Sequence, residues 1–159
     1  QLVLFCLLYI LMVKLAAKDS GLNCLYFYPK EYTAEAYKRG LADPDTVAKQ
    51  SKRFMLPFCL VQLAALLLIL VVWNGITDFK TAYLQSALFL VVMNWFDGIV
   101  IDELWVGHSK IWKIPGMEGV PYTKPLSWMF QKRAAYTVMY LIFAVLPAGL
   151  VVLLGGAMR

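Results

Sequence analysis

Charge is scarce in this chain: 16% of its 159 residues are Asp, Glu, Lys or Arg, where a soluble domain carries about 25%. Histidine occurs once and cysteine three times, with no C-x-x-C pair, so no zinc-ligand spacing is present. The GxxxxGK[ST] phosphate loop, the GxGxxG dinucleotide fingerprint and the GxSxG nucleophile elbow are missing as well. Hydrophobic residues make up 61%, which excludes disorder, a collagen-like chain and a disulfide scaffold, and argues against a soluble enzyme. Cys6 and Cys59 fall in apolar runs and Cys24 in a connection. All three are expected to be free thiols.

What the chain does have is long apolar runs. Crossing a hydrocarbon core of roughly 30 Å takes about 20 mostly apolar helical residues. Four segments reach or approach that length: 2–17, broken only by Lys14, then 54–73, 81–101 and 134–154. The runs are continuous rather than alternating, so they read as helices. The expected fold is all-α, an integral membrane four-helix bundle forming one transmembrane domain over 1–159, with interfacial helices in its connections 18–53 and 104–134. The first run is a turn short and the chain opens at Gln1, so further residues are expected upstream. It also lacks a basic leading region, and is read as a retained span rather than a signal peptide.

The basic residues set an orientation. Lys18, Lys30, Lys38, Arg39, Lys49, Lys52 and Arg53 lie in the first long connection, and Lys110, Lys113, Lys124, Lys132 and Arg133 in the second. Those are 12 of the 15 Lys and Arg. The other side has Lys80 and Arg159. By the positive-inside rule both long connections are cytoplasmic and both termini face out, in a multi-pass protein of the cell membrane. The net charge of +5 is then directed at anionic lipid headgroups, not at nucleic acid.

Local signals fill in the connections. Asp43-Pro44 is a helix start, with an acid at the N-cap and proline in the first turn, and the helix it opens runs through Lys52 into the second span. Residues 31–39 read as a short helix stopped at Gly40. Pro115, Gly116, Gly119, Pro121 and Pro125 break any helix in the second connection. A helix restarting after Pro125 and reaching Gly155 would be about 45 Å long, with a bend at Pro147. Tyr26, Phe27, Tyr28, Tyr32, Trp105, Trp112 and Trp128 suit headgroup level.

One polar cluster needs a cause. Asp97, Asp102 and Glu103 are three of the ten acids, and they fall near a helix C-terminus, where the macrodipole disfavours negative charge. At 100° per residue, Asn94, Asp97, Ile101, Trp105 and His108 share an arc of about 80°, while Asp102 and Glu103 diverge to either side. Gly98 beside Asp97 would let another backbone come close.

Three readings are open. Asp97 can pair with a basic residue at the same depth, Lys52, Arg53, Lys132 or Arg133, and tie the helices together. Alternatively, Asp97, Asp102 and Glu103 are catalytic groups of a cytoplasm-facing interfacial site for an anionic lipid or lipid-linked substrate. Asn94, His108, Lys52, Arg53, Lys132 and Arg133 would then bind the substrate, and Asp97 and Asp102 would hold Mg²⁺ or Mn²⁺. In the third reading Asn94 and Asp97 line the path of a transporter or channel subunit working as a homo-oligomer.

Overall fold

The computed structural model describes residues 1–157; Arg159 lies outside the described residues. Every regular element among them is helical, with no strand. Helix α1 (Leu2–Ala17) leads through a 3₁₀ stretch, Gly21–Phe27, into the short α2 (Lys30–Lys38). Helix α3 (Pro44–Leu67) continues without a break into a π-helical turn, Leu68–Trp73. Helix α4 (Phe79–Phe96) likewise continues into a π-helical segment, Asp97–Val106. The last two, α5 (Leu126–Phe143) and α6 (Val145–Ala157), form one rod interrupted at Ala144.

Three of these rods, Pro44–Trp73, Phe79–Val106 and Leu126–Gly155, are long and apolar enough to cross a membrane. No more than 39% of the apolar window of any of them is buried, and Leu60, Val72, Leu84, Ile142 and Leu153 point outward. Helices that are apolar on all sides suit lipid, not water. Helix α1 is shorter, at 16 residues. It packs against α3 and α4, while α4 packs on α5 and α6.

The ends of the elements follow local chemistry. Asp43 caps α3 by accepting from the Thr46 amide at 2.9 Å and the Thr46 hydroxyl at 3.0 Å, with Pro44 opening the first turn. Helix α2 stops where Gly40 takes φ +69°. There the Gly40 amide donates to the Tyr37 carbonyl and the Leu41 amide to the Ala36 carbonyl, the paired closure that glycine permits. Pro147 cannot donate to the Phe143 carbonyl, and the rod breaks beside it, at Ala144.

The bonds from Thr46 hold the Asp43 carboxyl below its ordinary value of 3.8. A depressed acid stabilises the fold above its unfolded pKa, and that contribution is lost as pH falls through the folded pKa. The protection of the Thr46 and Val47 amides, measured by exchange relative to the unprotected rate at each pH, is therefore expected to fall below about pH 4. An Asp43→Asn variant, whose neutral cap does not titrate, should show no such change.

Two apolar cores result. Phe5, Leu66, Leu70, Phe89 and Val151 pack between the rods. Val13, Cys24, Leu25, Tyr32, Trp112 and Ile114 form the second, mostly from the connecting segments. The Tyr28 hydroxyl donates to the Trp112 carbonyl at 2.7 Å and stitches those segments together. Gly21 is required beneath it, since a Cβ there would lie 1.9 Å from the Tyr28 hydroxyl oxygen. The long connections are thus packed structures and not loose tethers.

Candidate functional site

The acidic end of α4 meets the start of α5 at a single guanidinium. Arg133 Nη1 lies 2.6 Å from Asp97 Oδ2, and Arg133 Nη2 donates to Asp102 Oδ2. The Arg133 side chain is 3% exposed, against 20% for Asp97 and 42% for Asp102. One cation is therefore shared by two carboxylates of unequal depth. Such a charge is tolerated inside a protein only when paired in this way.

The π-helical segment makes this sharing possible. In an α-helix, residues five apart sit about 140° from each other around the axis. Between Asp97 and Val106 the ladder widens to i→i+5 bonds, closed by the Gly107 amide donating to the Asp102 carbonyl. Residues five apart then lie on one side, so Asp102 joins Asp97 at Arg133 where an α-helix would have turned it away. The same segment carries the helix to Val106, beyond the boundary near 101 that hydropathy predicts.

Below the guanidinium is a second, neutral layer. Asn94, 1% exposed, donates through Nδ2 to the Arg133 carbonyl at 2.9 Å and to Thr137 Oγ1 at 3.2 Å. Its Oδ1 accepts from Arg133 Nη1 at 3.3 Å. Thr137 Oγ1 donates to the Arg133 carbonyl at 2.9 Å and accepts from Trp95 Nε1 at 3.1 Å. Gly98 is occupied differently from expectation. The Arg133 side chain, not another backbone, lies across it, and a Cβ there would fall 2.7 Å from Nε, 2.9 Å from Cγ and 3.0 Å from Cδ.

The clamp forms part of the lining of a cleft of about 620 Å³, which the 3₁₀ stretch, the start of α2, residues 122–124 and the start of α5 enclose. Lys132 sits in its wall, 4.0 Å from Asp102 Oδ2 and 5.2 Å and 5.7 Å from the ring centroids of Trp128 and Tyr136, within cation–π range. Lys124 also lines the cleft and pairs with Glu31 at 2.9 Å. That contact holds the Glu31 carboxyl below its usual range. Burial pushes the Tyr28 phenol of the lining up, and does the same to the Tyr32 phenol and the Cys24 thiol packed in the same core.

The structure gathers Asp97, Asp102, Glu103, Lys132 and Arg133 around one cleft, with Asn94 directly beneath. His108 stands apart: it is exposed and its Nδ1 lies 3.0 Å from the Glu103 carbonyl oxygen. Lys52 and Arg53 are exposed on α3 and take no part in the lining. Tyr9, Thr137, Lys124 and Glu31 belong to the site and are absent from the set read in the sequence. Thr137 carried a signal, being the lone aliphatic hydroxyl in the apolar run 134–154 and one helical turn after Arg133. Among the described residues no three His, Cys, Asp or Glu side chains converge to hold a metal ion. Comparison with family models, with curated proteins and with solved structures finds no match.

Proposed function

We propose that this is a multi-pass protein of the cell membrane whose cytoplasm-facing cleft binds an anionic lipid or lipid-linked substrate. In this reading α1, α3, α4 and the α5–α6 rod are four crossings of one helix bundle, with both termini outside. The distribution of Lys and Arg supports the orientation, and the packing of α1 against α3 and α4 supports its place in the bundle. At about 24 Å, α1 crosses only with some local thinning of the bilayer.

The observation that carries the binding role is the cleft itself. Lys132 and Arg133 converge on one carboxylate oxygen in a cavity walled by aromatic rings, so cationic heads and apolar faces meet where a lipid headgroup would lie. Binding fits this arrangement better than proton transfer, because Asp97 and Asp102 each already commit one carboxylate oxygen to Arg133. Mg²⁺ or Mn²⁺ would compete with the guanidinium for those same oxygens. A conduction path has less to draw on. Apart from Asn94 and Arg133, the buried polar side chains of the described residues are Gln62 and Ser86, and neither has a hydrogen-bond partner.

Thermal unfolding of the purified protein in nanodiscs tests the reading. Phosphatidylglycerol is expected to raise the unfolding temperature relative to phosphatidylcholine, and a Lys124→Gln/Lys132→Gln variant should lose most of that gain. Equal stability in the two lipids would defeat the proposal.

A further inference from the structure

We propose that the ligand is a lipid phosphomonoester, and that its phosphate takes the place of the Asp102 carboxylate on Arg133 and Lys132. Asp102 is then the resident counter-ion of an anion site, occupying it until the ligand arrives. This rests on the reading of the cleft as an anionic-lipid site and adds to it both a headgroup class and a mode of entry.

The position of one atom marks the site. Asp102 Oδ2 accepts from Arg133 Nη2 and stands 4.0 Å from Lys132 Nζ, so an anionic oxygen already sits between two cationic heads. The two carboxylates on Arg133 differ in what they can do. Asp97 is 20% exposed and Asp102 42%. Asp102 has water to turn toward, while Asp97 stays as the permanent counter-charge.

A second observation points the same way. Two residues lining the cleft each carry a buried donor without a partner: Nε of Arg133 and Nε1 of Trp112. Their side chains are among the most buried in the chain, at 3% and 2%. Both groups donate and neither accepts, so the unmet hydrogen-bonding capacity of the residues around the cleft is all of one kind and favours a ligand rich in acceptor oxygens.

Charge selects the ester. Glu31, the partner of Lys124, is 77% exposed and can turn to water as readily as Asp102. With both acids turned away, Arg133, Lys132, Lys124 and Lys30 of the lining face Asp97 and Glu103, leaving an excess of two positive charges. A phosphomonoester carries about −1.5 to −2 near pH 7 and offers three terminal oxygens. A diester, with a single charge, only matches the carboxylate it displaces. The rim supplies the apolar contact that distinguishes a lipid from free phosphate. Phe27, Trp128 and Tyr136 line the cleft with a substantial part of each ring exposed.

The test titrates the chain in phosphatidylcholine nanodiscs, following the fluorescence of the cleft tryptophans. The probes are phosphatidic acid, phosphatidylglycerol and inorganic phosphate. Phosphatidic acid is expected to bind about tenfold more tightly than phosphatidylglycerol, and Asp102→Asn to tighten phosphatidic acid by about tenfold more. Asp102→Ala should act in the same direction, and Lys132→Gln should weaken binding. Equal affinity for the two lipids would overturn the ester assignment, and unchanged or weaker binding in both folded Asp102 variants would overturn the displacement. Inorganic phosphate binding as tightly as phosphatidic acid would overturn the lipid source. If neither Asp102 variant folds, the ratio of the two lipids decides. Failure of the broader reading looks different: phosphatidylglycerol would then bind no better than the phosphatidylcholine background.

Discussion

An Arg133→Met variant is expected to lose about 3–5 kcal/mol of stability, the cost of removing one partner from a buried ion pair. Arg133 is 3% exposed, and the methionine that replaces it fills much of the same volume, so the loss comes from the charges left behind. They do not suffer equally. Asp102, at 42% exposed, can rotate into water, whereas Asp97, at 20%, remains against the helices without a counter-ion. Adding Asp97→Asn should therefore restore much of the folded protein, and adding Asp102→Asn should restore little. Thermal unfolding in detergent, with size-exclusion profiles of each variant, measures both outcomes. Rescue by Asp102→Asn and not by Asp97→Asn would reverse the assignment of the deeper carboxylate.

Gly98→Ala is the second large effect. The added methyl would meet three atoms of the Arg133 stem, all at 3.0 Å or less, and that stem has no freedom to retreat. Moving it pulls Nη1 from Asp97 and Nη2 from Asp102, so relief of the clash costs the clamp. Overpacking of this kind costs about 1–3 kcal/mol. The diagnostic measurement is a double-mutant cycle. In an Arg133→Met background, whose slimmer and uncharged side chain can move aside, the Gly98→Ala penalty should fall close to zero, giving an interaction energy as large as the single effect. Additive losses would mean that Gly98 serves some other contact.

Much of the helical layout was legible in the residues. The apolar runs mark the three long rods, Asp43-Pro44 marks the start of α3, and Gly40 marks the end of α2. Each of these features is local, so a few neighbouring side chains suffice to specify it. The clamp is different. Four basic residues, Lys52, Arg53, Lys132 and Arg133, had equal claims on Asp97, because depth along a rod says nothing about which rods touch. Packing of α4 on α5 selects Arg133, and its neighbour Lys132 turns to Trp128 and Tyr136 instead. The position of Asp102 was less accessible still. A regular 100° step per residue sends it away from Asp97, and only a change in the hydrogen-bond ladder brings it back. Hydropathy carries no trace of that change, whose benefit appears only when a guanidinium stands opposite. The cleft was hidden for a related reason: much of its wall comes from connections whose internal packing no periodicity announces.

The amide of Asn94 has one more consequence. By gripping the Arg133 carbonyl and the Thr137 hydroxyl together, while Trp95 holds that hydroxyl from one residue further on, it pins α4 and α5 at a fixed azimuth. Neither cylinder can roll against the other without severing all three bonds, and the Asn94 amide, 1% exposed, has no water at hand to replace its own two. This side of the cleft therefore behaves as a door frame, fixed by α4 and α5 together.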